Sequence, residues 1–471
     1  TQRFYLYLIM TKSAEKLYMS YAVKNSEGAA LMPSYIIRSM RKMFSHCLKL
    51  SYKDTAQQNS YVTIPRAANS FDNTEIAANV DEDIIDSLTG GRLVGSVTSF
   101  ENFAECPLRY YLRYGVDLKE REEFTFSPVN FGVVLHAVIR EVCDEIKKNG
   151  ESYYLISEEK RREMVKRSVA AITDIYQNSI LKDSSRNSFM IKRMEDLADR
   201  TVWAMGEQLK CGDFVPFVFE HKFNMEVGDG DRKQLMSGTI DRVDICENGT
   251  DVYVRIIDYK TGKKDFNIVK TYYGIDIQLM VYMEAAMKLV AKMRPGKNVI
   301  PAGVFYYNIS DPIVSATTES ADEIEDKIKG ELRLKGMVNS DKDIAEKMDN
   351  TEGTSLNIPV SRKADGGFDS RRSKVMNTEQ FNMLGRFVDV RAVDTADRIA
   401  GGDIRRSPYK DGQFSSCDRC PYGAVCGFSV DLPGCNYRKL KKFDDEVLWN
   451  NIKEGVDENG KKMDTGAEER D

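Results

Sequence analysis

Nowhere in these 471 residues does an apolar run approach the roughly 20 residues that a membrane-spanning helix needs. Charge of one sign is not in excess either. There are 68 Lys and Arg against 73 Asp and Glu, a net of −5, so any surface for a polyanion has to be local. The start, Thr1-Gln-Arg-Phe-Tyr-Leu-Tyr-Leu-Ile-Met, lacks an initiator Met, a basic region and a long apolar stretch. That argues against a signal peptide and for the C-terminal part of something longer. There is no G-x-x-x-x-G-K-S/T phosphate loop, so ATP hydrolysis by this chain alone is not expected. No internal repeat is present. The nine cysteines are odd in number and unevenly placed, unlike a secreted disulfide scaffold; a reducing cytoplasm fits them better.

What is present suffices for ordinary cores: 42% of residues are hydrophobic, in a chain long enough for two or three domains. Residues 1–45 read as strand then helix, with Phe4–Met10 as a buried strand and a helix near Pro33 to Phe44. Residues 46–95 read as a linker, polar over 50–75 and broken at Gly90-Gly91. From residue 96 the pattern tightens into one domain ending near 445, followed by a polar tail over 446–471. Ser99 is the candidate cap of a short helix that carries Cys106. Phe131–Lys148 is an amphipathic helix, and two more helices fill 157–182 and 187–211. Strands follow at Phe214–Met225, Leu235–Cys246 and Thr250–Tyr259, the last two joined across Glu247-Asn-Gly. Then come a helix at Ile275–Met293, a strand at Val299–Asn308 and a polar excursion over 338–372. The helix Asn377–Ala400 is capped by Asn377 and stopped by Gly401-Gly402.

Asp258 and Lys260 lie two apart on a predicted strand and so share a face. Asp241, in Gly238-Thr-Ile-Asp-Arg-Val-Asp, sits on the neighbouring strand of the hairpin. Two carboxylates brought together repel, and a hard divalent cation such as Mg²⁺ relieves that repulsion while accepting phosphate oxygens. A lysine beside it can orient water and offset phosphate charge. His136, in Gly132-Val-Val-Leu-His, is a further candidate ligand on the preceding helix. Gln278 and Tyr282, four apart on the following helix, share a face and could hold the lysine or contact DNA. Taken singly, each of these residues has an ordinary packing explanation; their order carries the argument.

Cys106 stands alone, and more than 300 residues later comes Cys417-Asp-Arg-Cys-Pro-Tyr-Gly-Ala-Val-Cys426. Four such thiols would tie the two ends of one domain together. The spacing serves a structural zinc and an iron–sulfur cluster equally. Cys435 is a rival fourth ligand; Cys47, Cys143, Cys211 and Cys246 read as ordinary core or surface thiols.

In this order, G-x-x-x-H, G-x-x-D-R-x-D, D-Y-K-T-G and Q-L-x-x-Y resemble the RecB-type branch of the PD-(D/E)XK nucleases. With the flanking cysteines, residues 96–445 closely resemble the C-terminal region of the AddB family of bacterial AddAB helicase–nucleases. The resemblance implies an α/β restriction-endonuclease-like domain with a mixed central sheet flanked by helices. It implies His136, Asp241 and Asp258 as Mg²⁺ ligands, assisted by the Tyr259 carbonyl. Lys260 becomes the catalytic lysine, with Gln278 and Tyr282 as its support. Glu220 matches an acidic strand position read here as structural, and Asp244 is expected to pair locally. The four cysteines, Cys106, Cys417, Cys420 and Cys426, would hold a 4Fe–4S cluster serving as a staple.

Thr11-Lys-Ser-Ala-Glu-Lys-Leu-Tyr resembles the last signature motif of superfamily 1 helicases, with Lys12 where arginine contacts the γ-phosphate. Lysine lacks the bidentate fork. Residues 1–45 would then end an inactivated RecA-like domain, with an AddA-type subunit supplying the motor in a heterodimer. The expected activity is Mg²⁺-dependent exonucleolytic degradation of single-stranded DNA, on the 5′-ended strand, during double-strand break repair in the bacterial cytoplasm. The alternatives are a stand-alone CRISPR-associated iron–sulfur nuclease and a non-catalytic iron–sulfur DNA-binding scaffold.

Overall fold

The computed structural model describes residues 94–119, 128–175, 185–227, 234–315, 320–430 and 435–468, with short pieces before residue 94: 10–12, 17–19, 21, 30–32, 34–43, 79–81 and 83–85. The chain divides into two compact units, Thr1–Asp72 and Asn73–Asp471. In the first, the helix α1, Tyr35–Met43, lies where one was expected. The strand expected at residues 4–10 and the motif from Thr11 lie largely outside the described residues. So do most of the expected linker, the Gly90-Gly91 break included, and Cys47. Part of that linker packs into the second unit: Val80 donates its N–H to the Gly402 carbonyl at 2.9 Å, and Ile85 is buried.

The second unit is built on a seven-stranded mixed sheet in the order β1-β3-β4-β5-β6-β7, with β2 on the other edge of β3. The strands are β1 Val94–Ser96, β2 Val215–Val227, β3 Gln234–Asn248, β4 Asp251–Lys260, β5 Asn298–Asn308, β6 Lys335–Asn339 and β7 Val375–Met376. The pairs β2–β3 and β3–β4 are antiparallel, whereas β1–β3 and β4–β5 are parallel. The β3–β4 hairpin turns on Asn248-Gly249, the glycine at φ +59°, a left-handed conformation that Asn-Gly turns supply cheaply. β4 is buried along nearly its whole length, as a central strand covered on both faces should be.

The helices are α2 Val97–Glu105, α3 Pro107–Tyr110, α4 Pro128–Lys148, α5 Glu158–Ile175, α6 Ser185–Lys210, α7 Ile268–Tyr272, α8 Gln278–Met293, α9 Ala321–Glu331, α10 Lys342–Met348, α11 Thr378–Ala400, α12 Gly423–Cys426 and α13 Asp445–Glu468. On one face of the sheet α4, α5 and α6 bury Leu135, Val138, Val169 and Val202 against Ile257, Phe305 and Tyr307. On the other, α2, α8, α11 and α13 bury Phe100, Leu279, Leu384 and Leu448 against Ile256, Val304 and Tyr306. The expected α/β architecture, a mixed sheet flanked by helices, is therefore present.

Three local expectations change. Ser96, not Ser99, caps α2: its hydroxyl accepts from Ser99 N at 3.1 Å, and the Ser99 hydroxyl is turned inward to donate to the Ser96 carbonyl. The polar tail is helical as α13, and Leu448 and Ile452, four apart, are buried, so a single apolar stripe was hidden in a polar composition. The excursion 338–372 begins with the end of β6 and with α10, and its irregular remainder is organised by Asp349, which accepts from Ser355 Oγ and Asn357 Nδ2. The helix α11 has its expected cap, a reciprocal pair between Asn377 and Gln380, and ends at Gly401.

Candidate active site at a fork in the sheet

β3 is paired with β2 along one edge for most of its length. Its other edge pairs with β1 over Leu235–Ser237 and with β4 over Arg242–Asn248. Between these two stretches, at Gly238–Asp241, the sheet forks. Asp241 stands at the crotch. Its Oδ2 accepts the Tyr259 N–H at 2.7 Å, doing what a strand carbonyl would do further down the ladder. Its Oδ1 lies 3.5 Å from Nδ1 of His136, which α4 projects across the fork.

Glu220 lies opposite Asp241 in the β2–β3 register, between the pairs Phe219↔Arg242 and His221↔Ile240. Its backbone has φ +47°, a conformation that non-glycine residues adopt only when the surroundings enforce it. That twist brings its Oε1 to 3.7 Å from His136 Nδ1. The ligand atoms of His136, Glu220 and Asp241 all lie within 4.8 Å of one another. Burial works against a charged imidazole, yet hydrogen bonds to Asp241 and Glu220 hold His136 up to about 10. The field at this point is therefore strongly negative, as a cation site requires.

Asp258 and Lys260 share a face of β4. Burial, then the neighbouring Asp241, pushes the Asp258 carboxyl up to about 7 in spite of Lys260. The Lys260 ammonium lies 2.6 Å from the buried Asp258 Oδ2, an oxygen that no other described group bonds. A buried carboxylate whose oxygen is met only by a lysine, near enough to Asp241 to feel its charge, fits a hard divalent cation held by oxygens and one imidazole. Lys260 also donates to Gln278 Oε1 at 2.9 Å, and Gln278 Nε2 donates to the Tyr282 hydroxyl at 2.9 Å. Gly238 makes room for this chain: a Cβ there would stand 2.7 Å from the Phe223 ring and 3.0 Å from Tyr282.

Two further residues belong to the site, and no motif marked them. Glu101, on α2, accepts the N–H groups of Ile277 and Gln278 at 2.9 and 3.0 Å, so it fixes the start of α8. Burial raises its carboxyl to about 7. Lys264 pairs with Asp276 at 3.0 Å, and Asp276 accepts from the Tyr306 hydroxyl at 2.6 Å. Glu220 was visible but read as structural; its partner His136 lies 84 residues away on another element, and no spacing rule connects them. Tyr259 contributes its N–H to Asp241, and its ring packs edge-on against His136 and Tyr307. Asp244 is fully buried on the opposite face, taking Arg242 at 2.7 Å and Arg255 at 2.9 Å, and so pairs locally as expected.

The four expected cysteines also converge. Cys106 ends α2 and precedes Pro107 of α3; Cys417, Cys420 and Cys426 line the same small cavity as Cys106, walled by Leu108, Leu112, Pro408 and Phe428. Burial raises the Cys106, Cys417 and Cys426 thiols, Cys417 to about 11 with the other three cysteines close by. Tyr422 donates to the Leu118 carbonyl at 2.8 Å and Arg438 to the Ala104 carbonyl, seating the C-terminal module on α2 and on the segment that follows α3. The donor set is one that takes a thiolate-ligated metal group. Cys435 is buried but does not line this cavity; Cys143 and Cys246 are buried elsewhere.

A forked mixed sheet with an acid pair and a lysine at its crotch defines a class of phosphodiester-cleaving domains. Residues 95–427 match the PD-(D/E)XK nuclease superfamily, and the chain belongs to it. More particularly, the chain is 31% identical to the B subunit of the ATP-dependent helicase/deoxyribonuclease of Clostridium acetobutylicum, over 98% of this chain and 44% of that protein. It is likewise 31% identical to the corresponding protein of Caldanaerobacter subterraneus subsp. tengcongensis, over 100% of this chain and 45% of that protein. The similarity to such B subunits read from the motifs is thereby borne out. The chain spans less than half the length of these relatives. Among the described residues no helix is long and apolar enough to cross a membrane.

Proposed function

We propose that this chain is the nuclease-bearing part of a helicase–nuclease B subunit and cuts single-stranded DNA with the help of Mg²⁺. The observation that carries the reading is the convergence of His136, Glu220 and Asp241 at one fork, with Asp258 close enough to feel the Asp241 charge and paired with Lys260. His136, Asp241 and Asp258 would hold the ion, with Glu220 as an added ligand. Once bound there, the ion would polarise the phosphate and stabilise the departing oxygen. The rest is done by this chain's own groups. An ammonium has three donor hydrogens. Asp258 and Gln278 occupy two sides of the Lys260 ammonium, leaving the third to meet a phosphate oxygen or to orient the attacking water. Tyr282 fixes Gln278, and Glu101 fixes the backbone that carries it. The site's depth lets this positive charge act at low dielectric, where it is worth far more than in water.

By the same reading the four cysteines hold a 4Fe–4S cluster that staples the domain. The proposed setting is an AddA-type partner in a heterodimer, degradation of the 5′-ended strand from a DNA end, and double-strand break repair. With no phosphate loop here, ATP turnover would come from the partner. The test is Mg²⁺-dependent degradation of an end-labelled single strand. Asp258→Ala and Lys260→Ala should each lower the rate by about a hundredfold or more, in line with losing a general electrostatic group. Wild-type rates in both variants would refute the assignment.

A further inference from the structure

Beyond Lys260 the chain leaves the sheet at Thr261-Gly262 and becomes one wall of a cleft of about 1120 Å³. The opposite walls come from α6, from the end of β5 and from the start of β6. The cleft adjoins the fork: Gly132, one turn before His136, backs onto Thr261. Its lining carries Arg333, Lys335 and Lys374 close together. Two of the acids in the lining are already engaged, Asp265 with Lys374 at 2.6 Å and Asp311 with Arg200 at 3.1 Å.

Lys335 is the odd member. Among the described residues it has no ion-pair partner, and burial together with Arg333 holds its ammonium below the usual lysine range. Asp265 and Glu331 offset only part of this, so a half-buried cation beside Arg333 and Lys374 is an arrangement that a further anion would relieve. Its address is set by the sheet. Lys335 pairs with Tyr306 across β6–β5, and Tyr306 pairs with Asp258 across β5–β4. Residues so paired project from one face, so Lys335, Tyr306 and Asp258 form a row. Two strand spacings separate the ends of that row, on the order of 10 Å. That is too far for Lys335 to touch the phosphate being cut at Asp258, and close enough for a neighbouring phosphate of the same strand.

We propose that Lys335, with Arg333 and Lys374 beside it, forms a phosphate subsite that holds the backbone of a single nucleic-acid strand next to the scissile bond. The proposal rests on the nuclease reading. Lys335 is half-buried in the lining of the cleft, which favours a flexible single strand over a rigid duplex.

Binding of a labelled 20-nucleotide single strand to the 471-residue chain, followed by anisotropy in EDTA so that nothing is cut, tests this. Lys335→Gln should weaken binding about five- to tenfold and flatten the slope of log affinity against log salt by about 0.7, one phosphate contact on a single strand. Lys335→Arg should stay within about twofold of wild type, since a phosphate contact asks first for charge. A labelled dinucleotide, too short to span the row, should bind both variants as it binds wild type, and a duplex of equal length should compete poorly. Unchanged affinity and slope in Lys335→Gln, equal loss on the dinucleotide, or full competition by the duplex would each overturn the subsite. The two readings fail differently. A wild-type chain that neither binds nor cuts the strand removes the nuclease reading, whereas one that cuts while Lys335→Gln binds normally removes only the subsite.

Discussion

Glu220 is held at a cost that its neighbours on β2 do not bear. A non-glycine residue at φ +47° gives up on the order of 1–3 kcal/mol, so the surroundings must compel it. What the strain achieves is aim, a carboxylate turned toward His136 and Asp241. Asparagine tolerates this backbone and lacks the charge. Glu220→Asn should therefore keep thermal stability close to wild type while raising the Mg²⁺ needed for half-maximal cutting, by roughly tenfold or more. Glu220→Val, stiff and β-branched, should lower stability by about 1–3 kcal/mol. Melting curves and a Mg²⁺ titration of cutting would separate the two effects, and an unchanged Mg²⁺ requirement in Glu220→Asn would return the residue to the purely structural role its sequence suggested. Single residues differ in this way in how readable they are. Asp258 and Lys260 could be placed because a strand alternates with period two and Asn-Gly fixed the hairpin register. Glu220 could not, because neither a positive φ nor a partner on a distant helix leaves a mark in the order of residues.

Between elements, the contact of α8 with α11 contains an acid pair. Burial and then Glu284 push the Asp389 carboxyl up to about 8. The ordinary aspartate value is about 3.9, so the folded chain binds this proton more tightly than the unfolded chain. The stabilisation is complete below the unfolded value and is lost as pH rises through the folded one. Asp389→Asn removes the loss. Its melting temperature relative to wild type should therefore climb between pH 5.5 and pH 8.5, and equal differences at both pH values would show that the pair does not titrate. Which helices and strands exist was largely legible, because long periodic segments such as α4, α8 and α11 announce themselves. How they join was less so. β1 has three residues and pairs with β3 about 140 positions later, so the fork that makes the site has no local signature. The capping of α2 could be misassigned because Ser96 and Ser99 stand one turn apart and either suits an N-cap.

For the whole molecule, the C-terminal module docks on α2 and on the segment after α3 across more than 300 residues of intervening chain. Closing a loop of that length is an entropic constraint worth on the order of several kcal/mol in chain models. A group assembled only as the thiols converge would couple that closure to folding. Changing Cys106, Cys417, Cys420 or Cys426 to Ala should lose iron and sulfide and lower the melting temperature of the domain, whereas Cys435→Ala should keep both, in protein purified without oxygen. Zinc without sulfide would keep the ligands and overturn the cluster; iron retained in Cys106→Ala but lost in Cys435→Ala would make the tie local. The effect should also reach Lys260, because Cys106 terminates the helix whose Glu101 fixes the start of α8, where Gln278 meets that lysine.

The doubled duty of Asp241 carries a consequence for descent. Its carboxylate both faces the fork and closes the sheet by taking the Tyr259 N–H, so the fold itself relies on it. Lys260 has no such second employment: its contacts are Asp258, Gln278 and the Tyr306 ring, all within the site. In a lineage that stopped cutting DNA but kept the domain as a scaffold, Lys260 would drift first, and Asp241 would be among the last to go. A relative with the aspartate at the fork and no lysine after it would be a retired nuclease, still folded.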